Sequence, residues 1–246
     1  MPTPVHFDAV IGAEFLRYAR MVAARGYIQN TLGNMAIRAP HPDFPLGVAY
    51  TKHAGISLEE MGVENIVVTN IPTSRILYGS RTTSVGHNLN REILRLRPDI
   101  QAVIHVHDDA SIAFFGAGFK EVGILSLDMP FIHGKHPHYL PAHVDVEADV
   151  GPVKDFIADT NLVVLLGHGL TALGRTVSEA YHRLNSFTAE VRRNIEAEKL
   201  SQITGVRPAY RSMAEIEGMH AHADAIINPT RAENVMATPQ PGHKAA

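Results

Sequence analysis

Ala102-Val-Ile-His-Val-His107 is a short apolar run closing on two histidines, and further along Asn161-Leu-Val-Val-Leu-Leu166 runs into Gly167-His168-Gly169. Both runs are β-compatible and bounded by turn formers, so each reads as a buried strand. Residues i and i+2 of a strand project from one face, so His105 and His107 can meet a single cation. The glycines beside His168 let the backbone of a turn approach a bound ion or ligand closely. Taken separately, a solvated strand end and a plain turn would account for these motifs. Together, three imidazoles that end two buried strands describe a divalent-metal site with an open coordination position.

Around these strands the chain mixes helices and strands along its whole length, which predicts one α/β domain without a dividing linker. Apolar residues at Val10, Phe15, Leu16, Ala19 and Val22 predict a helix over 7–25, stopped by Gly26. Short apolar runs at 35–37, 48–51 and 66–69 predict strands, and Ser57-Leu-Glu-Glu60 reads as a capping box opening a short helix. Leu89, Ile93 and Leu96 predict an amphipathic helix over 88–96, ended by Pro98. Further helices are predicted over 109–117, 146–158 and 178–200, the last opened by Ser178, with short strands around 122–125. The catalytic domain is expected to span 1–205, followed by a partly flexible extension over 206–246 that ends in a Pro-rich tail.

Composition narrows the class of function. Lys+Arg 22 against Asp+Glu 25, with no long run of one sign, gives no footprint for nucleic acid or an anionic membrane. With Cys 0 there is no thiolate nucleophile and no sulfur-ligated metal, so any metal must be held by nitrogen and oxygen. The start lacks a leader pattern and no apolar stretch is long enough to span a membrane, so a cytoplasmic protein with a small-molecule partner is expected. The 15 histidines among 246 residues are an excess that metal binding or acid–base chemistry would use.

The chain resembles the class II aldolase/adducin family over roughly residues 10–200. His105, His107 and His168 match its H-x-H and N-H-G metal motifs, with Gly167 where the family has Asn. Gly33-Asn-Met-Ala-Ile-Arg38 is similar to the family's G-N-x-S-x-R segment, and the stretch 51–61 to its T-P-S-G loop. The resemblance implies a single-domain α/β/α sandwich with a central, mostly antiparallel sheet. It also implies one divalent ion per subunit (Mn or Zn, with Fe or Co as alternatives), bound by the three histidines, and a homotetramer.

Two departures suggest a branch within the family. In the aldolases a glutamate precedes the helix before H-x-H and serves as metal neighbour and acid/base; counting back from His105, that position is Gly86. His87, next to it, is the expected replacement, as proton donor or fourth ligand. The loop at Thr51 carries Lys52 and His53 where the aldolases have small neutral residues. With Thr83 and Ser84, these cations would hold carboxylates, while Asn34 would orient the substrate. The changes resemble decarboxylases of hydroxylated aromatic ortho-dicarboxylates, such as 3-hydroxy-2-methylpyridine-4,5-dicarboxylate or 3,4-dihydroxyphthalate. The alternative is an aldolase or epimerase acting on a sugar phosphate, which requires a carboxylate from elsewhere, such as Glu92, to reach the metal. A third reading is a non-catalytic binding domain like the adducin heads, which should have lost its metal histidines. The stretch Ile132-His-Gly-Lys-His-Pro-His-Tyr139 reads either as part of the active site or as a metal-scavenging surface loop.

Overall fold

In the computed structural model, residues 7–223 are described. Their order is α1 (Ala9–Ala24), β1 (Asn34–His41), β2 (Phe44–Lys52), β3 (Ile66–Asn70), β4 (Ile76–Tyr78), α2 (His87–Leu96), β5 (Ala102–Val106), α3 (Asp109–Gly116), α4 (Asp128–His133), β6 (His138–Leu140), β7 (Leu162–Leu165), β8 (Gly169–Gly174), α5 (Val177–Thr204) and α6 (Met213–His222). The strands form one sheet in the order β4-β3-β2-β1-β5-β8-β7-β6, in which the β6–β7 pair is parallel and the other pairs are antiparallel. This is the single-domain α/β arrangement expected, a mixed central sheet with helices on both faces.

Side-chain alternation divides the interior into two cores. Met35, Ile37, Ala102, Ile104, Val106, Leu170 and Ala172 join Phe15, Val22, Leu184 and Phe187 of α1 and α5 on one face. Ala36, Val103, Val163 and Leu173 join Leu89, Ile93 and Leu94 of α2 on the other. The strand positions of this second face that are not apolar, among them Asn34, Thr69, His105 and Thr171, are buried polar residues near the end of α2 where its chain begins. The site therefore occupies the α2 face.

Local rules explain the boundaries. Asp8 caps α1 by accepting from the amides of Val10 and Ile11 at 2.8 and 3.3 Å. Arg38 sits on β1 and its guanidinium is taken up by backbone carbonyls: it donates to those of Ile100 at 3.1 Å and Arg97 at 3.2 Å, and also to Leu94, so it caps the end of α2. Gly205, at φ 72°, ends α5 in the left-handed region.

Several expectations need correction. The long helix opens at Thr176, whose hydroxyl accepts from Glu179 N at 3.1 Å, two residues before Ser178, and it continues to Thr204. Residues 146–158 form one turn and then the 3-10 segments Gly151–Asp155 and Ile157–Asp159, because Gly151-Pro152 interrupts an α-helical ladder. No helix follows Ser57: its amide donates to Glu60 Oε2 at 3.0 Å, but its hydroxyl finds no partner, so the box is half made. Residues 122–125 are not a strand. Their backbone bonds to α5 side chains, Gly123 N to Asn194 Oδ1 at 2.9 Å and Leu125 N to Glu190 Oε1 at 2.5 Å. Strands β4, β6 and β8 were not foreseen; β8, Gly-Leu-Thr-Ala-Leu-Gly, hides behind small residues and glycines. Beyond Gly205, α6 packs against α4, while the Pro-rich tail lies outside the described residues. Among the described residues no helix is long and apolar enough to cross a membrane.

Candidate metal centre

Register puts the first imidazole in place. His105 on β5 lies opposite Asn34 on β1 and opposite Thr171 on β8. Thr171 Oγ1 stands 3.0 Å from His105 Nδ1, which fixes the ring and leaves its Nε2 facing His107 Nε2 at 3.0 Å. His168 comes from the Leu166-Gly167-His168 turn joining β7 to β8. That turn needs Gly167 at φ 74°, a conformation that Asn also tolerates, which accounts for the exchange at this position. A side chain at Gly169 would strike the carbonyl of Val106, so the second glycine lets the turn close onto β5.

The three rings stand 4.9, 5.1 and 4.7 Å apart between centroids, and their candidate ligand atoms all lie within 4.8 Å of one another. Nitrogens about 2.0–2.1 Å from a tetrahedral zinc lie about 3.3 Å apart, so small adjustments of these rings accommodate a divalent ion. Burial, with His107 and His168 close by, drives the His105 imidazole well below its ordinary pKa; burial, with His168 beside it, takes His107 down to about 4. Both are neutral at pH 7, the form that ligates metal. The donor set fits a divalent ion.

A fourth group was missed from the sequence. Glu147 Oε1 lies 3.7 Å from His105 Nε2 and its Oε2 lies 3.8 Å from His168 Nε2. Asp145 Oδ1 accepts from the amides of Glu147 and Ala148, both at 3.0 Å, and Val146 is buried in the second core, so the turn aims Glu147 inward. A Cβ built at Gly86 would fall well inside van der Waals contact of Glu147 Oε1 and Asn34 Nδ2. Glu147 thus fills the space into which a side chain at 86 would project. Burial raises its pKa, opposed by His168. An Asp before a short polar turn is the one local signal for Glu147, and nothing in it points to His105.

The remaining candidates divide. Asn34 reaches the site: its Oδ1 accepts from Asn90, and its amide nitrogen faces Gly86. His87 is fully buried, its Nε2 lies 2.9 Å from Thr69 Oγ1 and its Nδ1 has no partner. Burial and Arg91 take it down to about 3. Lys52 and His53 do not present free cations. The Lys52 ammonium donates to the carbonyls of Thr31 at 2.6 Å and Ile56 at 2.5 Å, and burial lowers it to about 8. His53 lies 2.6 Å from the carbonyl of Ala54 and 3.0 Å from Asn65 Nδ2, and its backbone bridges to Thr83. Ser84 Oγ is buried with no partner. Glu92 is turned away, paired with Arg95 at 2.6 Å. In the histidine-rich stretch, His133 bonds the carbonyl of Arg183 at 2.9 Å, His138 stacks on Phe156 at 4.2 Å, and His136 meets Glu217 at 2.7 Å; none joins the three-imidazole cluster.

The chain is similar to several known proteins. The L-fuculose phosphate aldolase of Methanococcus maripaludis is 26% identical over 170 residues, covering 68% of this chain and 87% of that one. Human gamma-adducin is 27% identical over 158 residues, 62% of this chain and 22% of that longer protein. Among solved structures, an L-fuculose 1-phosphate aldolase superposes with TM-score 0.72 at 17% identity over 89% of this chain and 98% of that one. The family described as Class II Aldolase and Adducin N-terminal domain matches residues 13–192, a span that contains the sheet, the three imidazoles and Glu147. The chain belongs to the class II aldolase and adducin family.

Proposed function

We propose that this chain is a divalent-metal-dependent carbon–carbon lyase of the aldolase type, cleaving a small sugar phosphate, with Glu147 as its proton carrier. The observation that carries this reading is the Glu147 carboxylate beside His105 and His168, in the space in front of Gly86. A carboxylate arriving from elsewhere is what the aldolase reading required. The dicarboxylate reading leaned on Lys52 and His53, whose polar atoms are engaged by Thr31, Ile56, Ala54 and Asn65.

A divalent ion held by His105, His107 and His168 supplies Lewis-acid stabilisation for negative charge developing on the substrate's carbonyl oxygen. Glu147 takes the proton from the hydroxyl on the carbon across the scissile bond. That bond's electron pair moves toward the carbonyl, an aldehyde leaves, and Glu147 returns the proton to the carbon left behind. Burial raises its pKa above that of an exposed carboxylate, which favours proton return from the same group that takes it. Asn34, whose amide nitrogen faces the same space before Gly86, orients the substrate. The hydroxyls of Thr83 and Ser84, beside Gly86 in sequence, hold the anionic group, while Lys52 and His53 fix the loops around it. His87, neutral and enclosed, positions the start of α2. The same reading includes a homotetramer built from a catalytic domain over 1–205 and an extension over 206–246; light scattering on the purified protein measures the assembly.

The second reading, decarboxylation of a hydroxylated aromatic ortho-dicarboxylate, would use the same Glu147 carboxyl beside His105 and His168 to protonate a ring carbon as CO2 departs. Parallel assays with zinc or manganese separate the two. Aldehyde release from L-fuculose 1-phosphate or a related ketose phosphate is the expected result. CO2 release from 3,4-dihydroxyphthalate or 3-hydroxy-2-methylpyridine-4,5-dicarboxylate, without aldehyde release from any ketose phosphate, would overturn it.

A further inference from the structure

On the sheet's far edge, away from the three-imidazole cluster, a second set of metal-type side chains converges. His136 follows α4, while Glu217 and His220 lie one turn apart on α6, so Glu-x-x-His presents both donors on one helix face. The three donor atoms lie within 4.8 Å of one another, with His136 Nε2 and Glu217 Oε1 at 2.7 Å and the rings of His136 and His220 4.7 Å apart. They line a cleft of about 390 Å³ together with Asp159. Lys135 also lines it, but its ammonium donates to the carbonyl of Ala158 at 2.6 Å.

We propose that His136, Glu217 and His220 form a second divalent-cation site, of the zinc type, that fastens α6 to the segment between α4 and β6. Two imidazoles and a carboxylate are a donor set that zinc accepts, and Asp159 or water completes the coordination. His220 is 8% exposed and supplies a fixed anchor, whereas His136 and Glu217, with side chains 42% and 61% exposed, have the freedom to widen their 2.7 Å contact to the about 3.3 Å separation of ligands on one zinc. The site also explains why a helix with few apolar anchors stays docked: in α6 the buried residues are Ile216 and His220. Bound zinc would stabilise the docked form by mass action.

The test is zinc binding by the full chain, titrated against a chromophoric chelator, for wild type and the double variant His136→Asn/Glu217→Gln. Glu217 is exposed and His136 is only half-buried, so folding should survive. The variant is expected to lose one zinc equivalent per subunit, and zinc is expected to slow hydrogen exchange across 213–222 in wild type and not in the variant. Because neither residue belongs to the three-imidazole cluster, aldehyde release should be unaffected at saturating metal. Equal zinc stoichiometry in the two proteins, or zinc-independent exchange across α6 in wild type, would overturn the proposal.

Discussion

Moving the carboxylate is the sharpest test of the catalytic geometry. In Glu147→Ala the imidazole cluster keeps its three donors, so zinc content should hold while proton transfer is lost. General acid–base catalysis contributes about 100- to 10,000-fold, which at about 1.4 kcal/mol per tenfold is about 3–5 kcal/mol of transition-state stabilisation. Adding Gly86→Glu to that variant returns a carboxylate to the space that Glu147 leaves, because a Cβ at 86 points where Glu147 Oε1 and Asn34 Nδ2 now stand. With Glu147 gone, Asn34 alone must yield, so recovery should be partial, about tenfold in kcat. Gly86→Glu by itself crowds two carboxyls into one space and should be inactive. The assay is kcat for aldehyde release, with zinc content measured on each variant. Unchanged kcat in Glu147→Ala, or no gain in the double variant at full zinc occupancy, refutes the reasoning.

Other perturbations separate ligands from scaffold. His107→Ala removes one of three protein donors and should abolish stoichiometric zinc binding, as read by elemental analysis; full retention would break the assignment of the cluster. Lys52→Met should lower Tm because the carbonyls of Thr31 and Ile56 lose their shared donor, yet leave KM for an anionic substrate within about threefold; a tenfold rise in KM would return Lys52 to the substrate. His133, fully buried and held down to about 3 by its burial and by Arg183, makes stability depend on pH. Between about pH 6.5 and 3 the unfolded chain binds a proton that the folded one refuses, so stability falls as pH falls, by up to about 2 kcal/mol from pH 6.5 to 5. Urea titrations at the two pH values, compared between wild type and His133→Gln, measure this share; the variant should keep the dependence contributed by His87, His105 and His107 and lose that of His133.

What the sequence disclosed follows from how locally each feature is encoded. His105 and His107 were legible because strand alternation alone puts them on one face, and His168 because its glycines announce a turn. Edge strands β4 and β6, each three residues long, carry too little pattern to be seen, and 122–125 looked like a strand because the competing partners, Glu190 and Asn194, lie on α5. Lys52 and His53 looked like substrate cations for the same reason: their partners Thr31, Ile56 and Asn65 are set by loop packing rather than by local sequence spacing.

Glu147 is the instructive omission. Counting along the chain locates the family's glutamate position at Gly86 and finds no carboxylate, but the proposed chemistry requires a carboxylate in a volume, not at a sequence position. That volume is bounded by His105, Asn34 and the start of α2, and it is open to a side chain from 86 or to one from the turn capped by Asp145. Glycine at 86 is then required by Glu147, since any Cβ there would collide with it. The two positions are therefore coupled: a chain carrying both carboxylates would place like charges in one half-buried space, and a chain with neither would leave the proposed reaction without a proton carrier.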